Sequence, residues 1–162
     1  MIRSVEPKDA GEIRDIYNFY IINTNITFEE QPLSVDEMEK RIRDVTAKYP
    51  WLVIEENGCL LGYAYSGKYR ERSAYRYTAE LTIYMKNGEE GRGLGTELMG
   101  RVIEETRGRG IHTLISAIAI PNERSVSIHE KFGFEKIGHF REVGFKFDCW
   151  IDVGYWELVL TK

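Results

Sequence analysis

The spacing of hydrophobic and polar positions predicts a strand and then two helices in the first third of the chain. Ile2 to Val5 forms a short apolar stretch, and the segment after "EPKD" has apolar residues at helical spacing: Ile13, Ile16, Tyr17, Tyr20 and Ile21. Ser34, with Glu37 three residues later, has the form of a capping box at the start of a second helix. One stripe of that helix carries Met38, Ile42 and Val45.

The remaining sequence predicts strands interrupted by two more helices. Two β-rich segments flank Asn57-Gly58, a dipeptide typical of a two-residue hairpin turn. "AELTIYM" and "HTLISAIAI" read as strands, whereas Leu94, Leu98 and Val102 define a helix and "NERSVSIHEKF" a shorter one. Two strands ending in "YWELVL" complete the order βααβββαβαββ. This order favours an α/β fold, with helices on both faces of a sheet and ligands near the carboxyl ends of strands.

Composition narrows the class of protein. A length of 162 residues predicts one domain over residues 1–162, and the net charge of −4 gives no general attraction for nucleic acid. Cys59 and Cys149 form no metal-binding or disulfide motif, so reduced thiols in the cytoplasm are expected. No run of 18 apolar residues is present, and no membrane association is expected.

A glycine-rich loop lies between a predicted strand and a predicted helix. Gly91, Gly93 and Gly95 can adopt backbone angles closed to other residues, so several N–H groups can point toward an anion at a helix N-terminus. The alternative is a tight turn that binds nothing. The P-loop pattern fails because Leu94 stands where lysine is required, and the G-x-G-x-x-G pattern fails in both possible frames.

The stretch "EGRGLGT" resembles the pyrophosphate loop of the GCN5-related N-acetyltransferases (GNAT), [QR]-x-x-G-x-[GA]. In order and spacing, "NFYIINTNITFEEQP", "YPWLVIEENGCLLGYAYSGKYRERSAYRYTAELTIYM", "IPNERSVSIHEKFGF" and "VGFKFDCWIDVGYWEL" are similar to phosphinothricin and methionine sulfone acetyltransferases. The resemblance implies a mixed, mostly antiparallel central sheet flanked by helices, and acetyl-CoA as cosubstrate without a metal. Glu90 departs from the family pattern, which has Gln or Arg there.

The resemblance also assigns residues to acetyl-CoA. The pantetheine arm is expected to pair like an extra strand with the backbone of Ile83, Tyr84 and Met85. The pyrophosphate is expected at Gly91, Arg92, Gly93, Leu94, Gly95 and Thr96, where Arg92 compensates the charge of Glu90. Asn122 matches a cofactor-binding asparagine, although Asn before a helix is also a good N-cap.

Acyl transfer to an amine requires a neutral amine, an oxyanion donor and a proton for the thiolate. By resemblance, Glu80 is the base, which must be partly desolvated or act through water. A backbone N–H near Met85 is the oxyanion donor. His129 is the candidate acid for the thiol. The alternative for Glu80 is an exposed glutamate at a strand end, and the alternative for His129 is a surface or packing residue.

Substrate selection is expected to depend on "KYRERSAY". Arg70 and Arg72 would share one side of an extended segment and could grip a carboxylate or phosphinate; the alternative is a solvated basic loop. The predicted substrate residues are Phe28, Arg70, Glu71, Arg72, Tyr75, Glu80, Leu81 and Thr82. Lys146, Trp150 and Asp152 match the family tail without an assigned role.

These observations predict an N-acetyltransferase acting on the α-amino group of a small amino acid or analogue. Two alternatives remain open: acetylation of a protein N-terminus, lysine or polyamine, and a noncatalytic acyl-CoA-binding regulatory module. A homodimer is expected because similar proteins dimerise, with "CWIDVGYWEL" as its surface; the same segment is equally suited to a buried strand.

Overall fold

A computed structural model describes residues 1–161 and confirms the predicted order of elements. The helices are α1 (Ala10–Asn23), α2 (Val35–Thr46), α3 (Leu94–Gly108) and α4 (Glu123–Lys131). The strands are β1 (Ile2–Ser4), β2 (Trp51–Glu56), β3 (Cys59–Lys68), β4 (Thr78–Met85), β5 (Thr113–Ile120), β6 (Glu135–Lys146) and β7 (Cys149–Val159). Short 3-10 turns span Pro7–Asp9 and Ser73–Tyr75.

Local sequence signals explain several boundaries. The Ser34 side chain accepts from the Glu37 N–H at 3.1 Å while the Glu37 carboxylate accepts from the Ser34 N–H at 2.7 Å, which confirms the capping box of α2. Asn57 and Gly58 have φ angles of 52° and 81°, so the β2–β3 hairpin turns on the two predicted residues.

The described residues form one seven-stranded sheet with the order β1-β2-β3-β4-β5-β7-β6. All neighbouring strands are antiparallel except β4 and β5, which are parallel. The β4–β5 pairing covers only Thr78 to Glu80 against Thr113 to Ile115. Beyond that point the two central strands separate, and the gap between them becomes the main cleft.

Each face of the sheet is covered by its own helices. On one face α1 and α2 bury an apolar cluster with β2 and β3, which includes Ile13, Met38 and Tyr63. On the other, α3 contributes Leu98, Met99 and Val102, all completely buried. Full burial of such side chains stabilises the fold by about 1.5–3 kcal/mol each, so both layers hold the central strands in place.

Candidate active site

The cleft begins where β4 and β5 separate. Beside Glu80 it holds a cavity of about 130 Å³, lined also by Ser116 and His129. Toward the glycine loop it widens into a cavity of about 550 Å³. Both cavities are lined by Ile26, Ile83, Tyr84, Asn122 and Ser125, so they form one continuous channel.

The edge of β4 supplies unpaired backbone groups to this channel. The Lys86 N–H donates to the Leu61 carbonyl of β3 at 2.8 Å, and backbone direction alternates along a strand, so the amides of Ile83 and Met85 point away from β3 into the cleft. The Tyr84 backbone points to β3. Of the three predicted residues, Ile83 and Met85 therefore present backbone groups to the cleft, whereas the Tyr84 backbone pairs with β3 and its ring packs in the cluster beneath α1 and α2.

The glycine loop has the geometry of an anion cradle. Gly91 and Gly93 both have a φ of 80°, and Gly93 is the N-cap of α3. The first helical hydrogen bond runs from the Glu97 N–H to the Gly93 carbonyl at 3.2 Å, which leaves the N–H groups of the first helical turn, Leu94 to Thr96, without intrahelical acceptors. Gly95 differs from the prediction because it is helical and needs no unusual backbone angle.

Charges near this loop differ from the predicted arrangement. The Arg92 guanidinium pairs with Glu56 at 3.0 Å and with Glu89 at 2.6 Å, on the exposed side of the loop, so it does not compensate Glu90. The Glu90 carboxylate accepts from the Gly88 N–H at 2.8 Å, and Arg124 of α4 lies 3.9 Å from it.

Free amide donors and a cationic rim suit a diphosphate. Arg124 and Lys131 of α4 both line the larger cavity, opposite the helix N-terminus. A Cβ on Gly91 or Gly93 would meet no atom within 4 Å, so the loop borders open space. The residues present therefore fit the diphosphate of coenzyme A, and the arginine that lines the cavity beside the loop is Arg124.

Asn122 combines both of its predicted roles in one side chain. Its Oδ1 accepts from the Ser125 N–H at 3.2 Å and caps α4. Its Nδ2 has no hydrogen-bond acceptor within residues 1–161, and the residue lines both cavities. The amide nitrogen is therefore available to a bound molecule.

Glu80 has the environment expected of a base. Burial raises the pKa of this carboxyl above its ordinary value of 4.5, and the positive charge of Arg70 opposes the shift. No described side chain donates a hydrogen bond to it. An available carboxylate with a raised pKa suits proton uptake from an amine.

His129 lies in the channel wall with hydrogen-bond partners at both ring nitrogens. The residue is 3% exposed. Its Nδ1 lies 2.7 Å from the Ser125 carbonyl oxygen and its Nε2 lies 2.9 Å from Ser116 Oγ. Burial lowers the pKa of His129, which favours the neutral ring. Both ring nitrogens therefore have protein partners, and the role of His129 as the acid stays a prediction.

Comparison with known proteins identifies the family. A model described as an acetyltransferase (GNAT) domain matches residues 2–154. The chain belongs to this family. Phosphinothricin N-acetyltransferase of Streptomyces viridochromogenes is 33% identical over 156 residues, covering 96% of this chain and 85% of that protein. L-methionine sulfoximine/L-methionine sulfone acetyltransferase of Salmonella typhimurium is 33% identical over 165 residues, covering 99% of this chain and 95% of that protein.

A solved structure shares the whole fold of this acetyltransferase. The GNAT superfamily phosphinothricin acetyltransferase from Sinorhizobium meliloti, in complex with acetyl-CoA, superposes with a TM-score of 0.95 at 31% identity, covering 99% of this chain and 88% of that one. The chain is accordingly a GNAT N-acetyltransferase that uses acetyl-CoA. The mixed, mostly antiparallel sheet is the fold that the family resemblance implied, and it is confirmed.

The acetyltransferase brings only part of the predicted substrate segment to Glu80. The positive charge of Arg70 lowers the pKa of Glu80, and the Arg70 guanidinium lies 5.1 Å from the ring centre of Tyr69. Tyr75 packs edge-on against the same ring at 5.5 Å. Leu81 and Thr82 line the smaller cavity as predicted.

Three other predicted substrate residues are placed differently. The chain bends at Glu71 and Arg72, so the extended segment assumed for the two arginines is absent. Glu71 pairs with Lys68 at 2.6 Å in solvent. The Phe28 ring covers Gly144 of β6, where an added Cβ would lie 2.4 Å from it, and Phe28 does not line either cavity.

Several site residues of the acetyltransferase were missed by sequence reasoning. Tyr20 donates a hydrogen bond to the Met85 carbonyl at 2.5 Å and lines the larger cavity, although its helical spacing indicated only core packing. For Ser116 the only signal in the sequence is a hydroxyl side chain within an otherwise apolar strand. Arg124 and Lys131 lie seven positions apart on α4, a spacing that places them on one helical face.

Within residues 1–161, no group of three or more His, Cys, Asp or Glu side chains is arranged to hold a metal ion. None of the helices in the described part of the chain combines the length and apolar character needed to cross a membrane.

Proposed function

We propose that this acetyltransferase acetylates the α-amino group of a small amino acid or analogue of the phosphinothricin, methionine sulfone or methionine sulfoximine type. The single supporting observation is the Glu80 carboxylate in the wall of the smaller cavity, close enough to Arg70 for that positive charge to lower the pKa of the carboxyl. An α-amino acid carries an ammonium beside an acidic group. Glu80 suits the ammonium, and the Arg70 guanidinium suits a carboxylate or phosphinate.

Transfer is direct, in a ternary complex on a single domain spanning residues 1–162. Bound acetyl-CoA supplies a thioester whose carbonyl carbon is the electrophile. The free amides at the start of α3 hold the diphosphate end, and Met85 offers its N–H at the strand edge as the oxyanion donor. Glu80 removes a proton from the ammonium so that the amine can attack.

A substrate panel with thiol release as the readout tests this function. Phosphinothricin, methionine sulfone, methionine sulfoximine and the common amino acids are compared with a peptide, Nα-blocked lysine and spermidine. We expect the highest kcat/KM for an amino acid or analogue. A preference for the peptide, blocked lysine or polyamine supports the first alternative, and saturable acetyl-CoA binding without thiol release from any amine supports a noncatalytic module.

We also propose that the protein is a cytoplasmic homodimer. The β6–β7 hairpin carries large apolar side chains that are 52–64% exposed: Ile137, Phe140, Val143, Phe145, Phe147 and Trp150. Such a patch suits a second copy of the chain. Cys59 and Cys149 are exposed and unpaired, which suits a reducing compartment. Sedimentation velocity should give a dimer that Trp150→Lys converts to monomer; a wild-type monomer would contradict the assignment.

A further inference from the structure

We propose that Ser116 is a catalytic residue of this acetyltransferase, whose hydroxyl carries a proton between the reacting groups and His129. The inference rests on the proposed function, because it concerns the proton that an attacking amine loses. It adds a residue that neither the family resemblance nor the sequence pattern assigned.

The position of Ser116 follows from the separation of β4 and β5. The last paired residues are Glu80 and Ile115, and Ser116 is the next residue on β5. Its side chain is 1% exposed, yet it lines the same 130 Å³ cavity as Glu80. The surrounding strand is apolar, and a buried hydroxyl there needs a partner. His129 is that partner.

The hydrogen bonds of His129 fix the direction of the Ser116 hydroxyl. The Ser125 carbonyl oxygen can only accept, so Nδ1 must carry the ring proton. Neutral His129 therefore has its lone pair on Nε2, which accepts the Ser116 hydroxyl proton across 2.9 Å. The lone pairs of Ser116 Oγ are then free to accept a proton from a group in the cavity.

Two proton acceptors thus reach the cleft from opposite faces of the sheet. Glu80 shares its face of β4 with Thr82 and Tyr84, and Tyr84 packs into the cluster beneath α1 and α2. Ser116 shares its face of β5 with Leu114 and Ile118, which belong to the α3 cluster. Among the described residues, the titratable side chains that line the smaller cavity are Glu80, Tyr84 and His129.

This arrangement matches the proton balance of the reaction. A substrate ammonium loses two protons, and one of them must end on the departing sulfur. Glu80 takes the first and passes it to water. As the nitrogen pair forms the C–N bond, Ser116 Oγ takes the second proton while its own moves to His129 Nε2. The C–S bonding pair leaves with sulfur, Ser116 returns the proton to it by the reverse transfer, and both side chains end unchanged.

The test compares Ser116→Ala with Ser116→Thr, which restores a hydroxyl. We expect Ser116→Ala to lower kcat by about 100-fold, the scale of one positioned acid–base group, and Ser116→Thr to recover most of that loss. The KM for the amino acid and the acetyl-CoA affinity by calorimetry should change less than about twofold. Ser66→Ala is the matched control, since Ser66 is a buried hydroxyl 2.9 Å from Thr106 outside the cleft.

The outcomes separate this inference from the proposed function. An active wild type whose Ser116→Ala variant keeps its kcat overturns the Ser116 role and leaves the function intact. The role is also overturned if Ser116→Thr is as slow as Ser116→Ala, or if a folded Ser66→Ala variant is equally slow. A wild type that acetylates no amino acid overturns the proposed function first.

Discussion

The Lys146 ammonium donates a hydrogen bond to the Thr27 carbonyl at 2.8 Å, joining the end of β6 to the connection between α1 and α2. Lys146 is only 3% exposed, and burial lowers the pKa of its ammonium. The Thr27 hydroxyl also meets the Tyr17 hydroxyl at 2.8 Å. Ile26, the preceding residue, lines both cavities. One buried lysine therefore fixes a wall of the active site from the opposite end of the chain.

Lys146→Met should impair substrate binding more than catalysis. The substitution keeps the apolar stem and removes a charged hydrogen bond, so the segment carrying Ile26 loses an anchor. We expect the KM for the amino acid to rise about 10-fold, or ~1.4 kcal/mol, with kcat within about threefold. Steady-state kinetics measure both. Lys40→Met, at an exposed lysine paired with Asp44, is the control; an unchanged KM in Lys146→Met would refute the anchoring role.

Glu80→Gln should lower turnover by about 100-fold or more, the contribution of a positioned base. Glutamine has nearly the same shape but cannot take the ammonium proton. Acetyl-CoA affinity, measured by calorimetry, should be unchanged because the diphosphate cradle lies at the other end of the channel. Glu104→Gln, at an exposed glutamate paired with Arg107, controls for loss of a carboxylate. Equal turnover of wild type and Glu80→Gln would exclude the base.

Glu80→Gln should also raise thermal stability, increasingly so at higher pH. Since burial raises the pKa of Glu80 above 4.5, the folded protein holds this proton more tightly than the unfolded chain. At a pH well below 4.5 the carboxyl is protonated in both the folded and the unfolded state, so it does not lower the free energy of unfolding. As pH rises through the unfolded and then the folded pKa, ionisation of the buried group destabilises the native state. Melting curves should show a higher Tm for Glu80→Gln than for wild type near pH 8, and this difference should disappear at low pH. A Tm difference that stays constant with pH would contradict the raised pKa of Glu80.

Arg70 and Arg72 should differ, although they are two positions apart. Arg70→Gln should raise the KM for the amino acid about 10- to 100-fold, because the acidic end of the substrate loses a bidentate partner. Arg72→Gln should change it less than twofold, since the chain bends before it. The check compares the KM for an amino acid with a free carboxylate and for the corresponding amide. Arg70→Gln should hardly change the KM for the amide. Equal effects of the two substitutions would argue against this geometry.

Asn122→Ser should separate capping from cofactor binding. Serine is a good N-cap and should preserve α4, but it lacks the free amide nitrogen. We expect acetyl-CoA affinity to fall about 5- to 10-fold, the loss of one hydrogen bond of ~1 kcal/mol, with little change in Tm. Asn122→Ala should lose both affinity and stability. Full affinity in the serine variant would assign Asn122 to capping alone.

Local signals made most of the fold predictable. The capping box at Ser34 and the Asn57-Gly58 turn depend on residues a few positions apart, so the sequence contains all of their determinants. Hydrophobic periodicity gave the element order for the same reason. The prediction that Arg72 shares one side of an extended segment with Arg70 was wrong, because a bend in an irregular loop depends on contacts with distant segments.

The sequence by itself determined the order of elements, the glycine loop at the start of α3 and the family motifs, because these depend on local backbone preferences and short spacings. Tertiary structure alone decided which backbone edge of β4 is open, that Arg124 replaces Arg92 beside the loop, and that Ser116 engages His129. Those relationships join residues on separate elements. Their distances follow from sheet register and from the separation of β4 and β5, which no local pattern specifies.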